Sequence, residues 1–586
     1  MTQLWHGRDA LYGHKAMTAI AKNRWFHPLL LLLWIVIGAG LRFTHLTSKP
    51  PWTDEFATLV FSLGHSFETV PLDQAIDLNT LLQPLQLQPV ASARDVVHYL
   101  LAEDVHPPLY FVLAHGWIQL FSSSDGLISI WVARSLPALL GVFSIPAVFG
   151  VGWLAFRSLS VAQLAAAIMA VSPFGIFLAQ EARHYTLAIL WVTGFLACLV
   201  VAARHIHTRK ILPVGVCLIW VALSAVGIAT HYFILLTLAA IALVLLGLGL
   251  RQTRRRPDAM LRSHWHRIYA VALGTAMASV VWFPIWQTIH NREITQWIQS
   301  GDRFSLLAII NPIAQAIAAW TTMLILLPVE SQPLWVTLFW GGLMILFVVW
   351  VVPLLRRGLR LHLADAKTRL AVNVLGGFVL AAIALFFGIT YGLGSDLTRG
   401  ARYNFVYFPA VIILVGASLA TIWQSKTSRF NGKAAVVFVW FVGLVSSLTV
   451  ANNLGYQKYY RPELLLDLIT SRSQQPVLIA TTQNTLVQIG EMMGIGWEVQ
   501  RRVQHGEAIA PTPKFLLARE YQNACLENCA ATDTLKQTVS QMTAPIDLWL
   551  VNFHAPVNLE SQSCTADDQP QPYINGYSAK LYHCGS

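Results

Sequence analysis

The sequence predicts a polytopic α-helical membrane protein with an extracytoplasmic α/β domain at its C-terminus. Hydrophobic residues make up 55% of the 586 residues and charged residues 12%, which is too apolar for a water-soluble protein. Apolar stretches of about 20 residues, the length that crosses a bilayer, recur from Pro28 to Asn453. After Asn453 these stretches stop and shorter, strand-like segments follow.

Eleven apolar runs are predicted to be membrane-spanning helices, because backbone groups in lipid must be hydrogen-bonded within their own segment. The first run follows basic residues, as a secretion signal would, but it lacks a small-residue cleavage site and is predicted to stay uncleaved. Two further runs, 107–121 and 306–328, are predicted to lie along or dip into the outer leaflet, or to form extra hairpins, for about 11–13 helices in all. The predicted spans are 28–44, 131–155, 162–179, 185–203, 211–230, 233–250, 268–288, 334–354, 370–391, 403–423 and 433–453.

The distribution of Lys and Arg predicts the orientation, because cytoplasmic loops are enriched in both. Dense basic clusters fall in alternate segments, notably 251–267 and 356–369, whereas segment 45–130 contains nine acidic residues against two basic ones. This pattern predicts an inner-membrane protein with a cytoplasmic N-terminus and with 45–130 outside. The net charge of +11 then reflects orientation in the lipid bilayer, and no nucleic-acid partner is expected. The basic residues before the first span and in the last cytoplasmic loop are Arg8, Lys15, Lys22, Arg24, Lys426, Arg429 and Lys433.

The chain is predicted to divide into a transmembrane domain, 1–454, with a large first extracytoplasmic loop, 45–130, and a soluble extracytoplasmic α/β domain, 455–586. Four of the six cysteines lie in the latter domain, where an oxidising compartment favours disulfides over thiolate metal sites. Proximity favours Cys525–Cys529 and Cys564–Cys584 among the three possible pairings. A zinc site made by all four thiolates is the alternative, although only "CLENC" supplies a short ligand spacing.

Five segments that this topology assigns to the outer face contain polar motifs. Each motif has an ordinary explanation, since loop carboxylates are usually solvated, Pro-Pro pairs start helices and His-Tyr pairs anchor helix ends at the interface. Ionised groups beside the membrane are nevertheless costly and usually functional. The motifs are Asp54-Glu55 in "TDEF", "EDVHPPLYF" (103–111), "AQEARHYTL" (179–187), "THYF" (230–233) and "SDLTRGARYNF" (395–405).

In their combination and order, together with "ARSLPALLGVFSIPAVF" (133–149), these motifs resemble the GT-C glycosyltransferases. They are most similar to the bacterial branch of the dolichyl-phosphate-mannose protein mannosyltransferase superfamily, which includes the aminoarabinose lipid A transferases. The resemblance covers about residues 25 to 455. The C-terminal domain carries no motif that matches the family.

The resemblance implies transfer of a sugar from a polyprenyl-phosphate donor to an acceptor at the outer face, with inversion at the anomeric carbon. Asp54 matches the family's proposed catalytic base, with Glu55 beside it. Glu181 matches the second acidic position, which is often Asp in the family. Arg183 and Tyr185 match the same motif, and His106 matches the first-loop motif.

The residue types fit this chemistry independently. A carboxylate within hydrogen-bond reach can remove the proton from the attacking acceptor. The leaving lipid phosphate needs cations or hydrogen-bond donors more than a general acid, and Arg matches phosphate geometry well. Four residues are predicted to bind the donor phosphate, and three to line the substrate pocket. The first four are Arg183, Arg399, Arg402 and His231, and the other three are His106, Tyr185 and Tyr403.

No cofactor is expected to be required. A divalent cation is possible, because Asp54, Glu181 and His106, with Glu55 or His231, offer suitable ligand atoms. No Gly-rich nucleotide-binding loop is present, which agrees with a lipid-linked donor. The acceptor stays open among protein, lipid and glycan.

Two other classes of protein remain alternatives. A multi-span transporter or lipid flippase with an extracytoplasmic sensor domain would place polar residues along a path through mid-membrane. Most spans here have their ionisable residues at the outer ends instead, which favours surface chemistry. A structural or assembly protein would leave Asp54 and Glu181 without a role.

Overall fold

The structure is a computed structural model that describes most of the chain. The predicted cytoplasmic residues Arg8, Lys15, Lys22 and Arg429 and the loop residue Asp125 lie outside the described residues. The described residues are 24–122, 126–289, 297–299, 305–427, 430–507, 512–521, 525 and 529–585.

The chain forms two compact units whose segments alternate along the sequence. The helical unit consists of Met1–Leu46, Pro137–Trp286 and Ile298–Tyr456. The α/β unit consists of Thr47–Leu136, Gln287–Trp297 and Gln457–Ser586. The predicted domain division after residue 454 stays a prediction.

The helices confirm the predicted class of multi-pass membrane protein. By length and composition, seven described helices can cross a membrane, and eight if the bent pair Leu159–Ala170 and Pro173–Ala179 is one span. The seven are Phe26–Phe43, Ile130–Phe156, Tyr185–Thr208, Ile234–Thr253, Leu334–Ala364, Arg369–Leu393 and Gly432–Ala451. A short hairpin, Lys426–Thr427 paired with Phe430–Asn431, precedes the last of them.

Three predicted spans contain shorter helices than expected. Val214–Ile228 ends before the "THYF" motif, and Phe408–Gln424 begins only after the 3-10 turn Ala401–Val406. The predicted span 268–288 is broken into Ser263–Val280 and Phe283–Ile289. Val214–Ile228 therefore ends, and Phe408–Gln424 begins, next to a turn that carries predicted site residues.

The two extra apolar runs also form short helices. Leu109–Phe121 has 13 residues and Leu306–Thr321 has 16. At about 1.5 Å per residue, neither matches the roughly 30 Å of a bilayer core. The predicted spans Val214–Ile228 and Phe408–Gln424 are similarly short, so the prediction that neither run is a single crossing stays a prediction.

A buried arginine stabilises the bend between Leu159–Ala170 and Pro173–Ala179. Arg42 Nη1 donates to the carbonyl oxygen of Ala170 at 3.2 Å, and its Nη2 donates to that of Met169 at 3.0 Å. These carbonyls end a helix and lack intrahelical partners. A Cβ added at Gly141 would lie 3.0 Å from Arg42 Nε, so the absence of a side chain there makes room for the guanidinium.

The α/β unit contains a six-stranded mixed sheet, whose strands are numbered in chain order. The three central strands are parallel, and β1, β5 and β6 are added antiparallel at the edges. The spatial order is β1-β3-β2-β4-β6-β5. The strands are β1 (Ala75–Ile76), β2 (Val477–Gln483), β3 (Lys514–Arg519), β4 (Ile546–Val551), β5 (Cys564–Ala566) and β6 (Ala579–Cys584).

Three helices connect or precede the parallel strands. Pro462–Arg472 leads into β2, Leu486–Gln504 connects β2 to β3, and Ala530–Gln541 connects β3 to β4. Strand β2 is buried along its whole length, as expected for a parallel strand covered on both faces. The predicted C-terminal α/β fold is therefore confirmed.

The first loop contributes its own elements to the α/β unit. Strand β1 pairs with β3, with Ala75 opposite Leu516. Helix Thr53–Ser62 packs on Leu486–Gln504, where the rings of Phe56 and Trp497 lie 6.4 Å apart. The remaining helices of this loop are Leu78–Leu81, Ala93–Glu103 and Leu109–Phe121.

Two disulfides lie in the α/β unit. Cys525 is joined to Cys529, and Cys564 to Cys584. The second disulfide links residues that face each other in the register of β5 and β6. It therefore fastens the short edge strand β5 to the sheet.

Candidate functional site

Glu55 is held by a buried arginine. Helix Thr53–Ser62 carries both Asp54 and Glu55 in its first turn. Arg134, from the second turn of helix Ile130–Phe156, donates from Nε to Glu55 Oε1 at 2.8 Å and from Nη2 to Oε2 at 2.7 Å. Both side chains are 1% exposed, and such bidentate pairs are strong and directional.

Arg134 also fixes the segment that leads into this helix. Its Nη1 donates to the carbonyl oxygen of Lys49 at 2.9 Å. Lys458, from the C-terminal part of the α/β unit, brings Nζ to 4.0 Å from Glu55 Oε2 and to 4.9 Å from the centre of the Trp52 ring. Glu55 therefore lies beside two cations, and residues distant in sequence build its surroundings.

Asp54 differs from Glu55 in its exposure. Asp54 is half-buried, whereas Glu55 is buried. Consecutive helical residues project about 100° apart, so the two carboxylates leave the helix in different directions. Burial is the largest cause of the raised pKa of Tyr460, followed by Glu491 and Tyr459, and the negative charge of Asp54 contributes a smaller rise. Tyr460 is thus an electrostatic neighbour of Asp54.

A partly buried network of hydrogen bonds surrounds Tyr460. The Tyr460 hydroxyl donates to Glu491 Oε1, and Asn552 Nδ2 donates to Glu491 Oε2 at 3.1 Å. Burial is the largest cause of the raised pKa of Glu491, which these two hydrogen bonds oppose. Tyr577, 6% exposed, packs on Tyr460 with 5.6 Å between ring centres. The C-terminal part of the unit therefore supports the surroundings of Asp54.

His106 is oriented by a neighbouring carboxylate. Its Nδ1 lies 3.0 Å from Asp104 Oδ1 and 3.1 Å from Oδ2. Asp104 is buried and also accepts a hydrogen bond from the backbone N–H of Val105 at 2.6 Å. The Asp104 carboxylate therefore fixes the orientation of the His106 ring through Nδ1.

The "QEARHY" motif is fully buried in the helical unit. It forms the turn between Pro173–Ala179 and Tyr185–Thr208. Glu181, Arg183 and Tyr185 are 2%, 1% and 1% exposed. The Arg183 guanidinium lies 5.9 Å from the centre of the Tyr185 ring. Burying an acid and a cation in one short turn costs free energy unless the charges are paired or hydrogen-bonded.

The structure brings the "THYF" and "RY" motifs to this turn. The ring centre of His231 lies 4.5 Å from His184, 5.9 Å from Tyr185 and 6.5 Å from Tyr403. His231 Nδ1 accepts a hydrogen bond from the backbone N–H of Phe233 at 3.0 Å, which places the proton of the neutral ring on Nε2. Three of the predicted motifs therefore converge within the helical unit.

The two arginines near Tyr403 have different neighbours. Arg402 lies over the Tyr403 ring, 5.3 Å from its centre. Arg399 lies 3.4 Å from Asp396, and its side chain is 40% exposed. Asp396 is buried and accepts hydrogen bonds from the backbone N–H and hydroxyl of Thr398. Arg399 is thus the more accessible cation of this segment.

A possible cation site elsewhere involves cysteines. Among the described residues, the ligand atoms of Glu520, Cys525 and Cys529 lie within 4.8 Å of one another. Both sulfurs belong to a disulfide, and a disulfide sulfur is not a thiolate ligand. The suggested ligands Asp54, Glu181 and His106 stay a prediction.

Several residues of these two sites were not selected from the sequence. Arg134 lies inside the motif 133–149, and Asp104 lies two residues before His106 in the motif 103–111. A closer analysis of these two motifs could have identified both residues. Lys458, Tyr460 and Glu491 lie in or beside the domain that matches no family motif. No local pattern marks them, because their position depends on packing between distant segments.

The fold and these residues define a multi-pass α-helical membrane protein with buried acidic and cationic side chains in its loops and an added α/β unit. No family model and no curated protein sequence matches the chain. Among solved structures it is similar to ArnT from Cupriavidus metallidurans in the apo state, at 12% identity over 89% of this chain and 92% of that chain, with a TM-score of 0.47.

It is also similar to that ArnT bound to undecaprenyl phosphate, at 13% identity over 96% and 98% of the two chains, with a TM-score of 0.46. A third similar structure is the oligosaccharyltransferase AglB from Archaeoglobus fulgidus in complex with an inhibitory peptide and a dolichol-phosphate. It is 14% identical over 84% of this chain and 60% of that chain, with a TM-score of 0.39.

Proposed function

We propose that this protein is an inverting glycosyltransferase that moves a sugar from a polyprenyl-phosphate donor to an acceptor hydroxyl or amine. The single observation that carries the proposal is the difference between Asp54 and Glu55. Arg134 binds both oxygens of Glu55, whereas Asp54 is half-buried in the same helical turn. Asp54 is therefore the carboxylate suited to act as a base, and Glu55 fixes the helix that carries it.

The proposed reaction is a single displacement. The acceptor oxygen or nitrogen attacks C1 of the sugar and loses its proton to Asp54, while the bond between C1 and the phosphate oxygen breaks. The polyprenyl phosphate leaves with the bonding electrons as a phosphate monoester. The new glycosidic bond forms on the opposite face of C1, so the anomeric configuration inverts.

The buried turn of the helical unit supports a role in binding the phosphate. Arg183, Arg402 and His231 offer guanidinium and imidazole donors, and Arg is well matched to phosphate oxygens. Tyr185 and Tyr403 pack beside these groups. Glu181, buried among them, is proposed to orient the cations or the acceptor.

The test is a transfer assay with the purified full chain. The donors are radiolabelled hexoses and pentoses linked to undecaprenyl phosphate, and the acceptor is a crude envelope extract. Because a general base contributes about 10²–10⁴-fold, D54N is expected to lower the rate of transfer at least a hundredfold with an unchanged thermal unfolding midpoint.

A matched control removes a different carboxylate of the same unit. Glu68 is exposed, and E68Q should transfer at the wild-type rate. Wild-type turnover by a folded D54N protein would exclude Asp54 as the base. Absence of transfer from every lipid-linked donor by the wild-type protein would contradict the proposed function itself.

A further inference from the structure

A cavity of about 670 Å³ in the helical unit is lined by seven arginines and, among the described residues, by no acidic one. It lies at the ends of Tyr185–Thr208 and Ile234–Thr253 and at the starts of Ser263–Val280 and Arg369–Phe387. We call it the arginine cavity. Its arginines are Arg209, Arg251, Arg254, Arg255, Arg256, Arg262 and Arg369.

One lining residue of the arginine cavity, Gln252, makes hydrogen bonds to two neighbouring helices. Gln252 Nε2 donates to the carbonyl oxygen of Ile206 at 2.8 Å, and its Oε1 accepts from Trp265 Nε1 at 3.1 Å. Gln252 Oε1 also lies 3.4 Å from Nε2 of His264, which is buried and lines the cavity. These contacts join the ends of Tyr185–Thr208 and Ile234–Thr253 to the start of Ser263–Val280.

Most of the positive charge is not neutralised by the described part of the protein. Arg262 pairs with Asp258, and Arg369 donates to the carbonyl oxygens of Leu363 and Ala364. The side chains of four others make no hydrogen bond or ion pair to any described residue. These four are Arg209, Arg251, Arg254 and Arg255. Their mutual repulsion would be relieved by a bound anion.

The orientation preference of basic loops does not by itself account for this arrangement. That preference requires Lys or Arg near helix ends but no convergence on a cavity. Here no described lysine lines the cavity, and the other basic lining residues besides Arg are His207 and His264. The planar guanidinium binds phosphate oxygens in pairs, whereas a lysine offers a point charge.

We infer that the arginine cavity binds a polyanion that carries two or more phosphate groups. Basic pockets between helix ends at the cytoplasmic side bind anionic lipid headgroups, and a soluble polyphosphate offers the same chemistry. The apolar residues Ala203, Leu248 and Leu370 line the cavity beside the arginines, which favours the lipid as the source. This binding site is independent of the proposed transfer reaction.

The test measures binding to the purified full chain in detergent by native mass spectrometry and by competition. The lipid probe is tetraoleoyl cardiolipin, with dioleoyl phosphatidylcholine as the neutral reference, and the soluble probe is sodium tripolyphosphate. The triple variant R254A/R255A/R256A is expected to weaken the binding of the bound probe at least tenfold. The charge-matched variant R356A/R357A/R360A, in a basic segment that does not line the cavity, should change it less than twofold.

The two sources give different results. If cardiolipin binds and the R254A/R255A/R256A variant loses this binding while the control variant keeps it, the ligand is a lipid headgroup. If only tripolyphosphate binds and the two variants differ in the same way, the ligand is a soluble polyanion. Binding of neither probe, or equal losses in both triple variants, would overturn the inference. If the alanine variant misfolds, R254K/R255K/R256K replaces it, because this variant keeps the positive charge. Its affinity for the probe should still fall several-fold through the loss of paired hydrogen bonds. Unchanged affinity would contradict a binding site built from arginines.

Discussion

Arg134 and Glu55 form a bidentate ion pair in which both side chains are 1% exposed and the two N–O distances are 2.8 and 2.7 Å. The pair connects the start of a long transmembrane-type helix with the helix that carries Asp54. A buried pair of this kind fixes an arrangement more than it adds stability, because both charges lose their hydration. Its value lies in holding the first turn of Thr53–Ser62 in place.

Breaking the pair is expected to be more harmful than replacing it. R134M leaves Glu55 buried without its guanidinium and should lower the free energy of unfolding by about 3–5 kcal/mol. The double variant E55Q/R134M should recover part of that loss, because the buried negative charge is gone. Thermal unfolding in detergent of the wild type, R134M, E55Q and the double variant measures the coupling between the two residues. A loss of stability in the double variant equal to the sum of the losses in the two single variants would contradict the coupling.

The raised pKa of Glu491 predicts a pH-dependent stability. Burial lets the native carboxyl keep its proton at a pH where the unfolded chain has lost it. The native state then binds more protons, so stability falls as the pH rises from the unfolded pKa, about 4.3, through the higher native value. E491Q keeps a neutral group and should flatten this fall, measured as unfolding midpoints between pH 4.5 and 8. A constant difference between the two proteins over that range would contradict the prediction.

The two disulfides are expected to contribute unequally to stability. Cys564 and Cys584 are 20 residues apart, whereas Cys525 and Cys529 are 4 apart. Loop-closure entropy predicts about 3 kcal/mol for the longer loop and about 2 kcal/mol for the shorter one. Unfolding of C564A/C584A and of C525A/C529A, each against wild type, tests the order, and a larger loss from the shorter loop would reverse it.

The proposed topology can be tested by labelling introduced cysteines in intact cells. Single cysteines at exposed positions of 251–267 should be shielded from a membrane-impermeant maleimide, because the basic residues predict a cytoplasmic location. Cysteines at exposed positions of 477–585 should react. Replacing Cys198 and Cys217 by alanine removes the free thiols. Labelling of both segments from the same side would contradict the orientation, independently of the proposed function.

The sequence by itself determined the helical membrane class, most span positions and the presence of strands after Asn453. These predictions rest on local patterns, because the length of an apolar run predicts a span and a short run of β-branched or aromatic residues predicts a strand. It also marked Asp54, Glu181 and His231, because polar residues beside apolar runs stand out. The predicted topology assigned the motifs of Tyr185, His231 and Tyr403 to one face, and the structure shows their rings near one another and near that of His184 within the helical unit.

The tertiary structure alone decided which side chains become partners. The contacts of the α/β unit join segments that lie tens to hundreds of residues apart in sequence. They are the contacts of Arg134 with Glu55, of Lys458 with Trp52, of Tyr460 with Glu491 and of strand β1 with β3. Such contacts depend on how helices and strands pack once their positions are fixed, and no local periodicity encodes them. For the same reason the sequence showed the residues of the arginine cavity only as separate basic loops. The cavity forms only where the helix ends that line it come together in the tertiary structure.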